Sequence, residues 1–328
     1  MIASPMPAGN GAYVVHKLLE ARIPGYRVHG YDPRLTLFPP LLRRYADPRA
    51  GLVHTTADHA VFVDTAGAPL VLTFHNFVLD EGMRPYSSLA QRLHYRFDLR
   101  WWTSMALERA SAVTAVSRFT AALVKRELGY AGDIRVIYNG VDTEAFRPRP
   151  APRNGDGTVK VLFSGNLTRR KGADLLPAIA ERLAPNVKIL YTEGLRAHAH
   201  LAAHPRLECV GAVPFAAMPA LYREVDLLVT PSVREGFGLN AAEAMASGLP
   251  VVASDCSSLP ELVEAGRGGL LCPVGDADAF AAAINRLAES SDLRREMGEF
   301  NRARAEREFA LPRMVAEYEA LFASLKSR

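Results

Sequence analysis

The sequence lacks the features that define several protein classes. No apolar run approaches the ~18 residues of a transmembrane helix. The first residues, MIASPMPAGNG, have neither the basic start nor the long apolar stretch of a signal peptide. The three cysteines (Cys209, Cys256 and Cys272) have no metal-ligand spacing, and their odd number argues against a disulfide framework. We therefore expect reduced thiols and a cytoplasmic location.

The sequence also has little excess charge. Its 39 lysines and arginines against 35 acidic residues give a formal net charge of +4. This excess permits an anionic ligand or membrane surface, but no nucleic-acid recognition motif accompanies it. With 328 residues, of which 49% are hydrophobic, the chain is long enough for two globular domains. We expect no nucleic-acid partner.

Short strand-like runs alternate with longer helical ones along most of the chain. They are nearly continuous apolar runs, which is typical of parallel strands covered by helices on both faces. The predicted strands are 26–31, 51–56, 69–75, 111–117, 134–140, 159–165, 187–192, 207–211, 226–232 and 249–254, with a first strand reduced to roughly MIAS. A segment rich in Pro, Gly and charge separates the halves at 147–157 and is predicted to be a linker. The predicted fold class is α/β, with two doubly wound, Rossmann-like parallel-sheet domains.

One strand–turn–helix segment has the features of an anion site. It reads DLLVTPS, then VREGFG, then LNAAEAMASG, and covers residues 226–248. The first N–H groups of a helix have no partner within it, and the helix dipole adds partial positive charge there. Gly236 and Gly238 allow a ligand to approach the backbone closely. This pattern predicts a phosphate site before the helix.

Two glutamates, Glu235 and Glu243, bracket that predicted phosphate site. A carboxylate beside a phosphate would repel it, whereas a carboxylate on either side can accept hydrogen bonds from hydroxyls. A nucleotide-sugar offers this arrangement, because its diphosphate lies between sugar hydroxyls and ribose hydroxyls. Two glutamates eight residues apart also fit a loop charge and a helix-face charge, so the pair alone is weak support.

Residues 231–263 resemble the E-x7-E region of retaining glycosyltransferases of family 4, which have the GT-B fold. Five further segments resemble motifs of that family and occur in the same order: 9–21, 71–77, 113–123, 139–146 and 162–176. The likeness therefore covers nearly the whole chain. The resemblance implies two domains that face each other across a cleft. It places an acceptor-side domain at 1–148, a linker at 149–157 and a donor-binding domain at 158–310, with a helix at about 311–328 that packs back on the first domain.

The resemblance also implies roles for residues of the donor site. Glu235 would contact the donor sugar and Glu243 the ribose, and Lys171 would neutralise the diphosphate. Backbone amides of Phe237, Gly238 and Leu239 would face sugar and phosphate.

The glycine loop of the second domain departs from the family pattern. The family usually has an arginine directly after the loop glycine, and this sequence has Asn166 there. Arg169 or Arg170 would supply the missing charge, and the sequence does not choose between them. A solvated basic turn is the alternative interpretation of Arg169, Arg170 and Lys171, but a basic cluster between a strand and a helix favours phosphate.

Two positions of the first domain are implied as well. His75 ends a hydrophobic strand and matches a family histidine beside the sugar; a lone histidine at a strand end is more often structural. Gly11 would let the first domain close on the diphosphate. The predicted catalytic residues are thus His75, Glu235 and Lys171.

The implied reaction moves a hexose-type sugar from a UDP- or GDP-sugar to a hydroxyl of a glycan, lipid or small molecule, with retention at the anomeric carbon. We recognise no metal-binding Asp-x-Asp, and the resemblance implies a metal-independent site with no cofactor beyond the nucleotide-sugar co-substrate. Other GT-B activities remain as alternatives: a sugar phosphorylase or a UDP-sugar epimerase. A further alternative is a non-catalytic protein that binds a nucleotide-sugar.

Residues 84–110 contain an apolar stripe with four-residue spacing, which predicts a core helix with a solvated basic edge. The stripe comprises Leu89, Leu93, Phe97, Trp101 and Met105. A second interpretation is that the neighbouring Arg92, Arg96, Arg100 and Trp102 touch an anionic membrane surface or a lipid-linked acceptor. In that case the protein is peripheral on the inner face of the membrane.

Overall fold

The computed structural model describes residues 1–64, 67–86, 89, 94–150, 157–194 and 201–326. Its internal contacts divide the chain into two compact units, each of which is described by itself. The first unit comprises Met1–Gly140 and Pro312–Arg328, and the second comprises Val141–Leu311.

The first unit is built on a six-stranded parallel sheet of order β2-β1-β3-β4-β5-β6. Its strands are β1 (Ile2–Pro7), β2 (Tyr26–Tyr31), β3 (Leu52–Thr56), β4 (Leu70–Phe74), β5 (Ala112–Ala115) and β6 (Arg135–Val136). Its α-helices are α1 (Gly11–Glu20), α2 (Ala60–Val63), α3 (Arg100–Arg109) and α4 (Arg118–Leu128), together with the C-terminal helix (Leu311–Lys326). Turns of 3₁₀-helix cover Pro33–Leu37, Pro39–Tyr45, Ala57–His59 and Glu81–Tyr86, and a π-helical turn covers Tyr95–Leu99.

The first strand is longer than the predicted MIAS. β1 pairs with β2 along its whole length, from Ile2 to Pro7. On its other side it pairs with β3 only through Ile2 and Ala3, before the first proline of the strand, Pro5. Because proline has no N–H to donate, the two prolines hid this strand from a pattern-based prediction.

The C-terminal helix packs within the first unit. The Tyr318 hydroxyl lies 3.2 Å from Thr73 Oγ1 of β4. The Phe322 ring centroid lies 5.3 Å from that of His54 on β3. The last helix of the chain therefore covers the central strands of the first sheet.

The predicted apolar stripe is not a core face. Leu89, Phe97 and Trp101 are 75%, 63% and 61% exposed, and Leu93 lies outside the described residues. The buried side of α3 is formed instead by Thr103, Ala106 and Leu107. The prediction is wrong because a four-residue spacing shows which residues share a face and not whether another element covers that face; here the exposed members face solvent.

The second unit has its own six-stranded parallel sheet, of order β12-β11-β10-β7-β8-β9. Its strands are β7 (Val159–Phe163), β8 (Val187–Tyr191), β9 (Leu207–Cys209), β10 (Leu227–Thr230), β11 (Val251–Ser254) and β12 (Gly269–Cys272). Its α-helices are α5 (Leu176–Glu181), α6 (Met218–Arg223), α7 (Leu239–Ala246), α8 (Leu259–Leu262), α9 (Ala277–Glu289) and α10 (Ser291–Glu308), with 3₁₀ turns at Arg169–Lys171, Ala173–Leu175 and Phe215–Ala217.

Strand β12 was not predicted. It is four residues long and begins at Gly269, which pairs with Val251 of β11. A side chain on Gly269 would place its Cβ 1.9 Å from the Val251 carbonyl oxygen. The glycine is thus needed for close strand pairing, although in sequence it resembles a turn signal.

The second unit begins at Val141, shortly after β6. Val141 pairs with Ala310, and the Arg302 guanidinium donates to the carbonyl oxygens of Thr143 and Phe146, at 2.9 and 2.8 Å. Arg149 Nη2 donates to Asp226 Oδ1 at 2.7 Å. Of the predicted linker, residues 151–156 lie outside the described residues.

Candidate active site

The predicted strand–turn–helix segment forms in the second unit. β10 ends at Thr230, the chain turns over residues 231–238, and α7 begins at Leu239. Gly238 precedes the helix with a φ of 99° and provides no side-chain cap. Only glycine adopts this left-handed conformation without strain, so the turn needs a glycine at this position.

Glu235 forms an ion pair with Lys171 from the loop after β7. Lys171 Nζ donates to Glu235 Oε1 at 2.6 Å, and the two side chains are only 19% and 8% exposed. Burial alone would raise the pKa of Glu235. The neighbouring Lys171 ammonium, with its hydrogen bond, and the Arg170 charge outweigh burial and lower that pKa. Glu235 is therefore ionised at neutral pH.

Glu243 lies inside α7 in a different environment. Its Oε2 accepts a hydrogen bond from the Tyr222 hydroxyl at 2.9 Å. Burial raises the pKa of Glu243 to about 7, against the smaller opposing effects of Tyr222 and Lys171. The two glutamates of the motif are thus electrostatically different, and Glu243 titrates near neutrality.

A glycine brings the lysine loop against the turn that carries Glu235. Gly172 has a φ of 72°, and a Cβ at this position would lie 2.1 Å from the Pro231 carbonyl oxygen. Beside it, Val233 N donates to Arg170 O at 3.0 Å. This close backbone approach places Lys171 within reach of Glu235.

The two candidate arginines of this loop point in different directions. Arg170 is partly buried, and its Nη1 donates to Arg234 O at 3.1 Å, next to Glu235. The Arg169 side chain is 78% exposed and pairs with the exposed Asp174 at 3.5 Å. The structure brings Arg170, and not Arg169, to the turn that holds Glu235.

Asn166 lies in a second tight contact of the same unit. A Cβ on Gly194 would lie 2.6 Å from Asn166 Oδ1, so the two loops touch at this point. Gly165 N donates to Thr192 Oγ1 at 3.2 Å. Asn166 thus borders the loop that follows β8.

Phe237, Gly238 and Leu239 form the end of the turn. The Phe237 side chain is 3% exposed and packs edge-on against Phe309, with ring centroids 5.7 Å apart. Its side chain is part of the core, so only its backbone remains for a ligand. Leu239 is half-buried as the first residue of α7.

Three residues beside the glutamates have no sequence signal that we recognised. The Ser257 hydroxyl accepts from Glu235 N at 3.0 Å, and Ser258 Oγ donates to the carbonyls of Glu235 and Phe237 at 3.1 and 2.9 Å. Ser257 has a φ of 54°, which is uncommon for a residue other than glycine. Tyr222, the partner of Glu243, comes from a separate helix, α6. The serines lie inside the family-like segment, but Tyr222 is 21 positions from Glu243, with no shared pattern.

His75 directly follows β4 in the first unit. Its Nε2 lies 3.0 Å from His16 Nε2, and burial lowers the pKa of His75 to about 3. His75 is therefore neutral at physiological pH. Gly11 is the exposed first residue of α1, and the left-handed glycine of that loop is Gly9, with a φ of 77°.

The predicted basic row is only partly described. Arg92 lies outside the described residues, and the Arg96 side chain is not described. Arg100 Nη2 donates to Glu127 O at 2.6 Å. Trp102 is half-buried and packs on other rings of the first unit, with centroid distances of 5.1 Å to Phe62 and 5.8 Å to His59. Among the described residues, no helix is both long and apolar enough to cross a membrane.

Asp276 and Asp278 have the Asp-x-Asp spacing, but both side chains have structural partners at the start of helix α9. Asp276 caps the helix by accepting from Ala279 N at 2.9 Å, and Asp278 pairs with Arg182. Within the described part of the chain, no group of three or more His, Cys, Asp or Glu side chains is arranged to hold a metal ion.

Comparison with known proteins matches both halves of the chain. A sequence profile described as Glycosyltransferase Family 4 matches residues 2–145, and one described as Glycosyl transferases group 1 matches residues 158–290. The alpha-maltose-1-phosphate synthase of Mycolicibacterium smegmatis is 30% identical over an alignment that covers 92% of this chain and 84% of that protein. The lipopolysaccharide core biosynthesis mannosyltransferase LpcC of Rhizobium leguminosarum is 30% identical, over 73% of this chain and 70% of its own length.

Solved structures match over the full length. The sucrose-phosphate synthase of Thermosynechococcus elongatus superposes with a TM-score of 0.80 at 23% identity, over 99% of both chains. Anabaena HepE, solved in complex with UDP-glucose, superposes with a TM-score of 0.79 at 21% identity, over 99% of this chain and 100% of its own. These likenesses establish the GT-B fold, and the sequence matches establish the family: the chain is a glycosyltransferase of family 4.

Proposed function

We propose that this glycosyltransferase moves a hexose-type sugar from a UDP- or GDP-sugar to a hydroxyl of a glycan, lipid or small molecule, with retention at the anomeric carbon. One observation carries the proposal: the half-buried Lys171 lies with two buried glutamates, whose pKa values are shifted in opposite directions, at the turn before α7 and within that helix. This set matches the chemistry of a nucleotide-sugar, which has hydroxyls on both sides of a diphosphate. HepE, of the same fold, was solved with UDP-glucose.

Lys171 has a partner that a ligand can replace. Its ammonium is neutralised by Glu235. A diphosphate would compete for the ammonium and leave Glu235 free to accept hydrogen bonds from sugar hydroxyls. Charge-assisted hydrogen bonds of this kind are among the strongest in proteins, so the exchange keeps both buried groups paired.

Glu243 is proposed to hold the ribose. As a carboxylate it accepts hydrogen bonds from two neighbouring hydroxyls, and the Tyr222 hydroxyl already donates to its Oε2. The backbone of Phe237, Gly238 and Leu239 would contribute N–H groups to sugar and phosphate, together with the positive end of the α7 dipole.

The departing diphosphate is proposed to be stabilised by protein charge alone. Lys171 and Arg170 lie at the Glu235 turn and supply positive charge where negative charge develops. Asn166 and Arg169 would contribute at its edge. No covalent nucleophile is proposed; the leaving phosphate would help to take the acceptor proton on the same face of the sugar. His75 is proposed to orient the sugar, and Gly11 to allow approach to the diphosphate.

The first experiment is thermal unfolding of the purified chain with UDP, GDP, ADP and their common sugar conjugates, in parallel with Glu243→Ala. A ligand that binds only the folded state raises the melting temperature. We expect a shift with one base that is weakened in the variant. Absence of a shift with any of them at millimolar concentration would overturn the donor site.

Stereochemistry and metal requirement need a second experiment. With the donor identified, acceptor sugars and lipids are screened in EDTA, and the anomeric configuration of the product is read by proton NMR. We expect the configuration of the donor and full turnover without divalent cations. An inverted product, or loss of turnover that Mg²⁺ or Mn²⁺ restores, would contradict the corresponding part of the proposal.

A further inference from the structure

A continuous set of buried polar side chains runs through the first unit from His75 to the C-terminal helix. We call this set the relay. Its members are His75, His16, Ser4, Tyr26, His54, Thr73, Thr114 and Tyr318. All but His75 are at most 1% exposed. Nothing in the proposed sugar transfer requires so many buried polar groups, so the relay needs its own explanation.

Each step of the relay has hydrogen-bond length. From His75 the nitrogen–nitrogen distance to His16 is 3.0 Å. His16 Nδ1 lies 2.8 Å from the Tyr26 oxygen, and the same oxygen lies 2.7 Å from His54 Nδ1. His54 Nε2 lies 2.7 Å from Thr73 Oγ1, which lies 2.6 Å from Thr114 Oγ1.

The direction of these hydrogen bonds is set at the far end of the relay. Thr114 Oγ1 donates to the Leu72 carbonyl oxygen at 3.3 Å, and a carbonyl can only accept. With its one proton directed to that carbonyl, Thr114 accepts from Thr73. The Thr73 proton is then used, so Thr73 accepts from His54 Nε2–H and from the Tyr318 hydroxyl.

The direction of hydrogen-bond donation is then assigned across two neutral imidazole rings, His54 and His16. Burial, and then the neighbouring histidines, lower the pKa of His16 and His54 well below the ordinary value, so each ring has one proton. His54 has it on Nε2, so its Nδ1 accepts from Tyr26. The Tyr26 oxygen therefore accepts a hydrogen bond from His16 Nδ1–H. Ser4 Oγ lies 2.7 Å from the same nitrogen and accepts from it as well. His16 Nε2 is left as an acceptor.

We propose that the relay holds His75 as the Nε2–H tautomer, with His16, Tyr26 and His54 as positioning residues. The Nε2–H of His75 donates to His16, and its Nδ1 is an acceptor. Within the described residues, Nδ1 is buried and has no hydrogen-bond partner. Any ligand group that pairs with this nitrogen must therefore supply the proton, as a sugar hydroxyl does.

The opposite direction of the relay is less favourable at its end. It turns the Thr114 hydroxyl from the Leu72 carbonyl oxygen to Thr73. It also ends in a buried N–H at His75 Nδ1 with no acceptor. Unpaired buried donors are rarer in proteins than under-used acceptors, which favours the first direction.

Ring ¹⁵N NMR of the full chain labelled with ¹⁵N-histidine tests the tautomer directly. His75 is assigned by the signal that is lost in His75→Gln. We expect a protonated Nε2 and an unprotonated Nδ1 in the wild type. The reverse pattern would overturn the proposal, and this arm needs no relay variant to fold.

Relay variants test the positioning role. Tyr26→Phe removes the proton link between His16 and His54, and Thr114→Val removes the terminal donor. Each should give His75 a mixed tautomer signal. The control Tyr31→Phe removes a hydroxyl from another buried tyrosine of the same sheet, outside the relay, and should leave the His75 signal unchanged. An unaltered His75 signal in both relay variants would overturn the positioning role.

The ligand arm rests on the proposed function. UDP-glucose and GDP-mannose analogues, with each sugar hydroxyl replaced in turn by fluorine, retain an acceptor but cannot donate. We expect at least a tenfold weaker affinity at one position, and no such loss in His75→Ala. Loss at no position, or the same loss in His75→Ala, would overturn this arm. Failure of plain UDP and GDP to bind would instead contradict the donor site and leave the NMR result standing.

Discussion

Lys171 Nζ and Glu235 Oε1 lie 2.6 Å apart, and both side chains are largely buried in the second unit. Residues 64 positions apart in sequence thus form one neutral pair. The lysine keeps the carboxyl charged, because it lowers the pKa of Glu235 against the effect of burial. In the proposed function, this pair separates around a ligand with a negative centre and hydroxyls beside it.

Breaking this pair should destabilise the protein. Lys171→Met or Glu235→Gln leaves one buried charge without its partner, at a cost of about 3 kcal/mol in the free energy of unfolding. The double variant should cost clearly less than the sum. Urea unfolding measures both, with Arg169→Met as the control, because its exposed pair with Asp174 should contribute under about 1 kcal/mol. Additive losses in the double variant would show that the two groups do not depend on each other.

Nucleotide affinity should depend on the protonation of Glu243. The pKa of this carboxyl is raised to about 7, so it is increasingly protonated as the pH falls below 7 and accepts ribose hydroxyls less well. Dissociation constants measured by calorimetry should rise by up to about tenfold per pH unit below 7. Tyr222 lowers that pKa through its hydrogen bond, so Tyr222→Phe should move the transition to higher pH. Glu243→Gln should bind more weakly and lose this pH dependence; a variant that keeps it would assign the dependence to another group.

Acid should destabilise the first unit through its buried histidines. Burial lowers the pKa of His75 to about 3, whereas the unfolded chain titrates near 6.5. Between these pH values the unfolded state binds a proton that the folded state does not, so stability falls as the pH falls. The difference in unfolding free energy between wild type and His75→Gln should shrink by about 1.4 kcal/mol per pH unit below 6.5. Leu42→Ala, which removes a buried side chain without a titrating group, should cost the same at every pH.

Gly172 should not tolerate a side chain. Its φ is 72°, and an added Cβ would lie 2.1 Å from the Pro231 carbonyl oxygen. Gly275 is a matched control, with a φ of 80° and no atom within 4 Å of its added Cβ. Gly275→Ala should cost about 1–2 kcal/mol from backbone strain alone. Gly172→Ala should cost more in the same unfolding assay and should weaken nucleotide binding, because it moves Lys171 away from Glu235. Equal costs at both positions would contradict a steric role.

Membrane binding is tested by charge reversal. Phe97, Trp101 and Arg100 are exposed beside one another in sequence, which is the composition of a surface that contacts anionic lipid. Exchange of Arg92, Arg96 and Arg100 for Glu should abolish co-sedimentation with phosphatidylglycerol liposomes. The same exchange at Arg267, Arg295 and Arg307, exposed residues of the second unit, should not. Wild-type protein that stays in the supernatant would contradict the peripheral location.

The parallel strands and the glutamate motif could be read from sequence because their signals are local. A buried parallel strand is a continuous apolar run, and a glycine turn before a helix is a short pattern. Strand β12 and the proline-containing part of β1 were not predicted, because strand pairing and not composition places these residues in the sheets. The prediction of a core face at residues 89–105 failed because apolar spacing shows which residues share a face and not whether another element covers it.

By itself the sequence determined the two α/β halves, the family and the positions of the glutamates, since each depends on residues close together along the chain. Only the tertiary structure decided that Arg170 and not Arg169 lies beside Glu235, that Tyr222 donates to Glu243, and that His75 is joined to Tyr318 through the relay. These contacts join residues on separate elements. Burial and neighbouring charges set which carboxyl is ionised, and no pattern within one segment records that environment.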